Sequence, residues 1–169
     1  MAAILAVSTV GVSKDIAQEK LKEFKPAFGR LEEVTVNGKN VKILLSKNPA
    51  GFTVSLRAMM ESQQKGSALF ILNDQIADGR DVSWIWDVDF EMLQGSKQQL
   101  FISGSRTYDL GLRLKYGLGS NQQIHLDPNL EAVMEKALTE TKQNETLWIL
   151  STYTAMLEAR KILTGRKIL

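Results

Sequence analysis

Cysteine is absent from this 169-residue chain, histidine occurs once and proline three times. The first absence excludes disulfides and thiolate metal ligands, and it fits a reducing compartment without requiring one. The lone imidazole, His125, sits between Ile124 and Leu126. It reads as a structural or surface group, because a catalytic histidine needs partners that a single occurrence does not supply. An excess of one charge is also missing. The 21 Lys and Arg are balanced by 19 Asp and Glu, a net of +2 spread along the chain, which argues against a nucleic-acid partner. No run is long enough to cross a bilayer. The apolar opening, Met1 to Val12, lacks a preceding positive residue, so it reads as a buried helix turn or the tail of a helix. A Gly-x-x-x-x-Gly-Lys-Ser/Thr phosphate loop is nowhere present. With 44% apolar and 24% charged residues, the sequence has the balance of one folded domain.

The periodicities give an architecture. Leu31 to Val36 and Val41 to Leu45 flank Asn37-Gly38, a strong signal for a tight hairpin. Further strand-like runs lie at Ala68 to Leu72, Gln99 to Ser103, Gln122 to Leu126 and Thr146 to Leu150. Helices are expected at Phe52 to Lys65, Arg106 to Tyr116, Asn129 to Thr141 and Tyr153 to Leu163, with Asp127-Pro128 as a cap followed by a first-turn proline. Strands and helices that alternate in this way, with the strands almost wholly apolar, predict an α/β domain. Its sheet is mostly parallel and covered on both faces, with the hairpin as an antiparallel edge. Residues 14–30 read as a connecting segment.

The richest chemistry lies between Asn73 and Glu91, where five Asp and one Glu accompany two of the three tryptophans directly after a strand. Loops in that position carry function in α/β proteins, because the sheet fixes their bases. Asp is also common in turns for its local hydrogen bonds. Asp74, Asp78, Asp81, Asp87 and Asp89 do not follow a calcium-loop spacing, so no metal site is expected. A second strand-to-helix junction, Ser103-Gly104-Ser105-Arg106, could bring Gly104 close to a ligand and let Arg106 face it. In the plainer reading, Asp109 and Arg113 form an ordinary helix pair four residues apart. Gly111, Gly117 and Gly119 lie in and after a helix, not at its start, and are no dinucleotide fingerprint.

Five segments in order carry a resemblance: Phe28-Gly29-Arg30-Leu31-Glu32, the stretch Leu45 to Phe52, Asp78-Gly79-Arg80-Asp81-Val82-Ser83-Trp84-Ile85-Trp86-Asp87, Arg113 to Tyr116, and Ser151 to Leu157. Over nearly its whole length the chain resembles the C-terminal domain of MurT, the Mur ligase-like subunit of lipid II isoglutaminyl synthase. The resemblance implies a Rossmann-like, three-layer domain over residues 31–169, and makes residues 1–13 the remnant of the last helix of a preceding ATP-binding domain. It also implies a GatD-like glutaminase partner, the remainder of the ligase-like subunit, and lipid II as substrate at the inner, cytoplasmic face of the membrane. There the complex converts the D-glutamate of the stem peptide to D-isoglutamine. ATP and Mg²⁺ are expected only in the complete multidomain enzyme, since the phosphate loop and the four-cysteine zinc insertion of its central domain are missing here.

By the same resemblance one aspartate completes the glutaminase's Cys-His pair. Asp81 is the first candidate and Asp87 the second, with Trp84 and Trp86 anchoring their loop by burial. The resemblance puts Lys47, Asn48 and Gly51 at an interdomain cleft near substrate or nucleotide, although a turn with a solvated lysine fits the same residues. A free-standing binding or interaction module, without chemistry, remains the alternative class.

Overall fold

The computed structural model describes residues 2–23, 30–62, 64–119 and 122–165. Two helices, α1 (Ala2–Ser8) and α2 (Lys14–Glu23), pack against each other ahead of the sheet. The apolar opening is thus helical but not buried: Leu5 and Val10 face solvent, as do Ile16 and Leu21 on α2. Ten residues of the expected connecting segment are therefore helix, while Phe28 and Gly29 of the first resembling motif lie outside the described residues.

The sheet contains β1 (Arg30–Val36), β2 (Lys39–Leu45), β3 (Gly66–Ile71), β4 (Gln99–Ser103), β5 (Ile124–Leu126) and β6 (Thr146–Ser151), in the order β1-β2-β6-β3-β4-β5. Only β1 runs antiparallel. Asn37 and Gly38 both take positive φ (51° and 76°), as a two-residue hairpin turn requires, and the hairpin forms one edge. At the other edge β5 is only three residues long. The expected fold class is the one observed.

Each strand alternates its apolar side chains between two cores. One contains Ala68, Phe70, Leu100, Ile102, Trp148 and Leu150, covered by α3 (Pro49–Glu61), α4 (Thr107–Leu118) and two 3₁₀ turns, Ser83–Asp87 and Phe90–Leu93. The other contains Val41, Ile43, Leu69, Ile71, Phe101, Leu147 and Ile149, covered by α5 (Leu130–Glu140) and α6 (Tyr153–Thr164). A cluster of rings fixes the 3₁₀ turns to the first core. Phe52 of α3 meets Phe70 of β3 at 5.9 Å and Phe90 at 5.2 Å, edge-on. No described helix is long and apolar enough to cross a membrane.

The prolines divide differently from the expectation. Asn129, not Asp127, caps α5, its Oδ1 accepting from Ala132 N–H at 3.2 Å, while Asp127 accepts from Asn129 N–H and Pro128 stays outside the helix. The proline in the first helical turn is Pro49. Asn48 ahead of it takes an extended backbone and accepts from Gly51 N–H at 2.7 Å, so α3 starts three residues before the expected Phe52. Asn48→Ala is expected to lower stability by about 1 kcal/mol, read as a fall of a few degrees in Tm. A change below the error of thermal denaturation would show that Pro49 starts the helix unaided.

Candidate functional site

At the carboxyl edge of the sheet, β2, β3 and β4 lead to elements on one face, while β5 and β6 lead to helices on the other. Neighbouring strands β6 and β3 therefore send their chains apart, which opens the crevice where α/β folds place function. Residues 72–82 leave β3 there, and two side chains organise them. Asn73, buried, donates its backbone N–H to Thr152 Oγ1 at 2.9 Å, accepts from Ser105 N–H at 2.9 Å, and donates its amide to Thr154 Oγ1 at 3.1 Å. Asp78, only 8% exposed, accepts from the backbone N–H of Thr154 at 2.8 Å, from the Thr154 hydroxyl and from Gln75 N–H. Its carboxylate thus satisfies a first-turn amide of α6 from across the crevice.

Other members of the acidic group are also engaged. Asp74 accepts from the Ser105 hydroxyl at 2.8 Å and pairs with Arg106 at 3.1 Å; those two contacts, the hydroxyl first, hold its carboxyl below the usual range. Arg106 also reaches Asp109 at 3.6 Å, so it sits between two carboxylates. Gly104 is close to backbone rather than ligand. At φ +108° its added Cβ would lie 2.4 Å from the Leu72 carbonyl oxygen, so the glycine lets two strand ends approach. The described contacts of Gly104 and Arg106 are thus packing and ion pairing within the chain. At the β2 end, Lys47 is exposed, but the Asn48 side chain and the Gly51 N–H are used in capping α3.

Asp81 differs from these. It is exposed, and its Oδ1 accepts from Ser83 N–H at 2.8 Å; that backbone bond is the chief cause that holds its carboxyl below the usual carboxylate range. The Ser83 hydroxyl adds a second, smaller contribution in the same direction. Asp81 lies in a shallow depression of about 330 Å³ with Arg80, Ser83, Trp86 and Leu112. Asp87, at the end of the first 3₁₀ turn, is exposed as well. Among the described residues, no group of three or more His, Asp or Glu is arranged to hold a metal ion.

The two tryptophans have separate roles. Trp84 is partly buried on the first core, 6.2 Å from Phe52. Trp86 is half exposed, set against Tyr116 at 6.0 Å and the Arg113 guanidinium at 5.7 Å. Burial therefore anchors the loop through Trp84, Ile85, Val88 and Phe90 rather than through Trp86, since a five-residue 3₁₀ turn cannot turn all its side chains inward.

The residue that sequence reasoning misplaced is Arg113. It does not pair with Asp109. It points inward, its side chain 6% exposed, donating to the carbonyls of Ile85 and Val88 (3.3 and 2.7 Å) and forming a two-armed pair with Glu91 at 2.9 Å. That hydrogen-bonded pair holds the Glu91 carboxyl below its ordinary value. The signal was its spacing: Leu110, Arg113, Leu114 and Gly117 share the buried stripe of α4.

A family model described as MurT ligase C-terminal matches residues 45–156, a span that includes both strand-end loops and the 3₁₀ turns. The chain belongs to the MurT ligase C-terminal family. It is 31% identical over 169 residues to the MurT subunit of lipid II isoglutaminyl synthase (glutamine-hydrolyzing) from Streptococcus pneumoniae, covering 99% of this chain and 37% of that protein. The MurT subunit from Staphylococcus aureus strain COL is 37% identical over 120 residues, 68% of this chain and 26% of the relative. The chain thus spans between about a quarter and a little over a third of the length of the curated relatives it matches. A pseudomurein peptide ligase type C from Methanothermus fervidus superposes with a TM-score of 0.63 over 97% of this chain and 34% of its own, at 18% identity, which speaks for the fold alone.

Proposed function

We propose that this domain belongs to the ligase-like subunit of a lipid II isoglutaminyl synthase and presents Asp81 to the histidine of a partner glutaminase. The observation that carries the reading is the exposure of Asp81 beside its engaged neighbours. Asp78 and Asp74 are committed to contacts within the chain, whereas Asp81 offers a carboxylate outward from a loop whose base is held on two sides. A carboxylate behind an imidazole fixes its tautomer and stabilises the imidazolium that forms as a neighbouring cysteine becomes a thiolate. The bond from Ser83 favours the charged form of Asp81, so that form persists down to the acid side of the ordinary carboxylate range. Glutamine hydrolysis near neutral pH should therefore show no inflection belonging to Asp81.

Amidation of the stem-peptide D-glutamate would then use ammonia released by the partner. We assign ATP and Mg²⁺ to the remainder of the subunit: this sequence has no Gly-x-x-x-x-Gly-Lys-Ser/Thr loop, and the capping of α3 engages the Gly51 N–H with the Asn48 side-chain oxygen. Residues 1–13 would be continuous with that remainder. The test is reconstitution. This chain alone should not turn over ATP, and the ligase-like subunit that contains it should raise the glutaminase's rate. ATP turnover by the pure chain that one of its own substitutions abolishes, or a glutaminase indifferent to the subunit, would overturn the assignment.

A further inference from the structure

Residues 75–81 run from the root of the acidic loop, where Asp74 meets Ser105 and Arg106, to the first 3₁₀ turn. Nearly all of that stretch faces solvent. Ile76 is 82% exposed, and Gln75, Ala77, Gly79, Arg80 and Asp81 are exposed too, so Asp78 is the one buried member. It divides the stretch in two. Upstream, the N–H groups of Asp78 and Gly79 donate to the Gln75 carbonyl at 2.9 and 3.1 Å and close a turn. Downstream, Gly79, Arg80 and Asp81 form an arch that ends at Val82, which is buried in the first core.

The arch has little of its own to hold it. Gly79 takes φ +90° with no atom near the place of a Cβ, so its backbone is free to turn. The bond from Ser83 fixes the Asp81 side chain to the adjoining backbone, but it does not tie the arch to another element. The upstream end of the arch is therefore placed by what holds Asp78.

The surroundings of Asp78 call for a carboxylate and for no other group of that shape. The Thr154 N–H donates to one of its oxygens, while the Thr154 hydroxyl and the Gln75 N–H donate to the other. The Thr154 oxygen already accepts from the Asn73 amide, so its proton is directed at Asp78. A carboxylate accepts at both oxygens, whereas an asparagine must turn an NH₂ group toward one set of donors.

We infer that Asp78 is a positioning residue for glutamine hydrolysis: by tying the upstream end of the arch to Thr154, the second residue of α6, it sets where Asp81 stands when the partner's histidine arrives. This inference rests on the role given to Asp81 above. A misplacement of about 1 Å in a reacting group, caused by a change away from the chemistry, can cost roughly a hundredfold in rate.

The test is steady-state glutamine hydrolysis by the assembled synthase, with the ligase-like subunit saturating and the temperature well below the Tm of each variant. Asp78→Asn should lower kcat roughly ten- to a hundredfold and leave KM for glutamine within about twofold, because the substrate is bound by the partner. Thr154→Val, which removes the hydroxyl and keeps the shape, should lower kcat in the same sense, and Thr154→Ser should retain it. Asn129→Ala, which removes the cap of α5, should lower Tm and leave kcat unchanged. In an Asp81→Asn background, Asp78→Asn should cost nothing further, since the two residues act as a unit. If Asp78→Asn does not fold, the two Thr154 variants decide. Parental kcat in Asp78→Asn and Thr154→Val, with Asp81→Asn strongly impaired, overturns the inference and leaves the role of Asp81 standing. The same factor lost from Asp78→Asn in both backgrounds also overturns it, because the effect would then not pass through Asp81. Parental hydrolysis by Asp81→Asn itself removes the functional reading, and the inference with it.

Discussion

Asp81→Asn in the assembled synthase is expected to leave the fold and the subunit affinity unchanged and to lower glutamine hydrolysis by up to about ten-thousand-fold. The amide has the carboxylate's shape, and its oxygen can still accept the Ser83 N–H, so the loop keeps its geometry. What is lost is the charge that favours an imidazolium, together with certainty about which face of the amide meets the histidine. Asp87→Asn is the companion measurement, since Asp87 is exposed on the same loop but has no comparable backbone anchor. Severe loss with Asp87→Asn and none with Asp81→Asn would transfer the role to Asp87. No loss with either would return the loop to an interface or structural role, and with it the alternative of a non-catalytic module.

Arg113→Met should destabilise the domain by about 3 kcal/mol, seen as a lower denaturant midpoint with an unchanged slope. The methionine can fill the aliphatic part of the space, but the carbonyls of Ile85 and Val88 lose a charged donor in a buried place, and Trp86 loses the cation beneath its ring. Glu91 contributes less of the effect, because its side chain is half in solvent. Its depressed carboxyl adds stability that is present above the ordinary glutamate value of 4.5 and is lost as the pH falls through its lower folded value. The difference between parent and Arg113→Met should therefore shrink in acid. Since the two carbonyls belong to the segment that follows Asp81, Arg113→Met should also reduce glutamine hydrolysis more than its global stability loss explains. A midpoint shift worth under 1 kcal/mol would show that the aromatic cluster holds the 3₁₀ turns by itself.

How much of this could be read beforehand depended on the range of the interaction. The hairpin at Asn37-Gly38 and the apolar strands were legible because their signals are local: a turn that demands positive φ, and side chains buried on both faces of a sheet. The start of α3 was misread for a local reason too. Asn48-Pro49 carries the same cap-and-proline signature that was credited to Asp127-Pro128, where the proline stays outside the helix. The partners of Asn73, Asp78 and Arg113 were not legible. Asp78 and Thr154 are 76 residues apart, and Arg113 reaches back 25 residues to Val88. Composition marked the acidic loop as unusual; only folding sorts its carboxylates into those turned inward and those turned out.

Asp78 gives the crevice between β6 and β3 a character of its own. In doubly wound folds, the opening where chains diverge and a helix begins is a natural seat for a phosphate, drawn by free amide hydrogens. Here the chain supplies the anion itself. The carboxylate of Asp78 already holds the Thr154 amide, the Thr154 hydroxyl and the Gln75 amide. A phosphate arriving from solution would have to evict an acid tethered by its own backbone and then lie beside it. The socket is in effect prefilled by a carboxylate, and that carboxylate is the pin that fastens the acidic loop to α6.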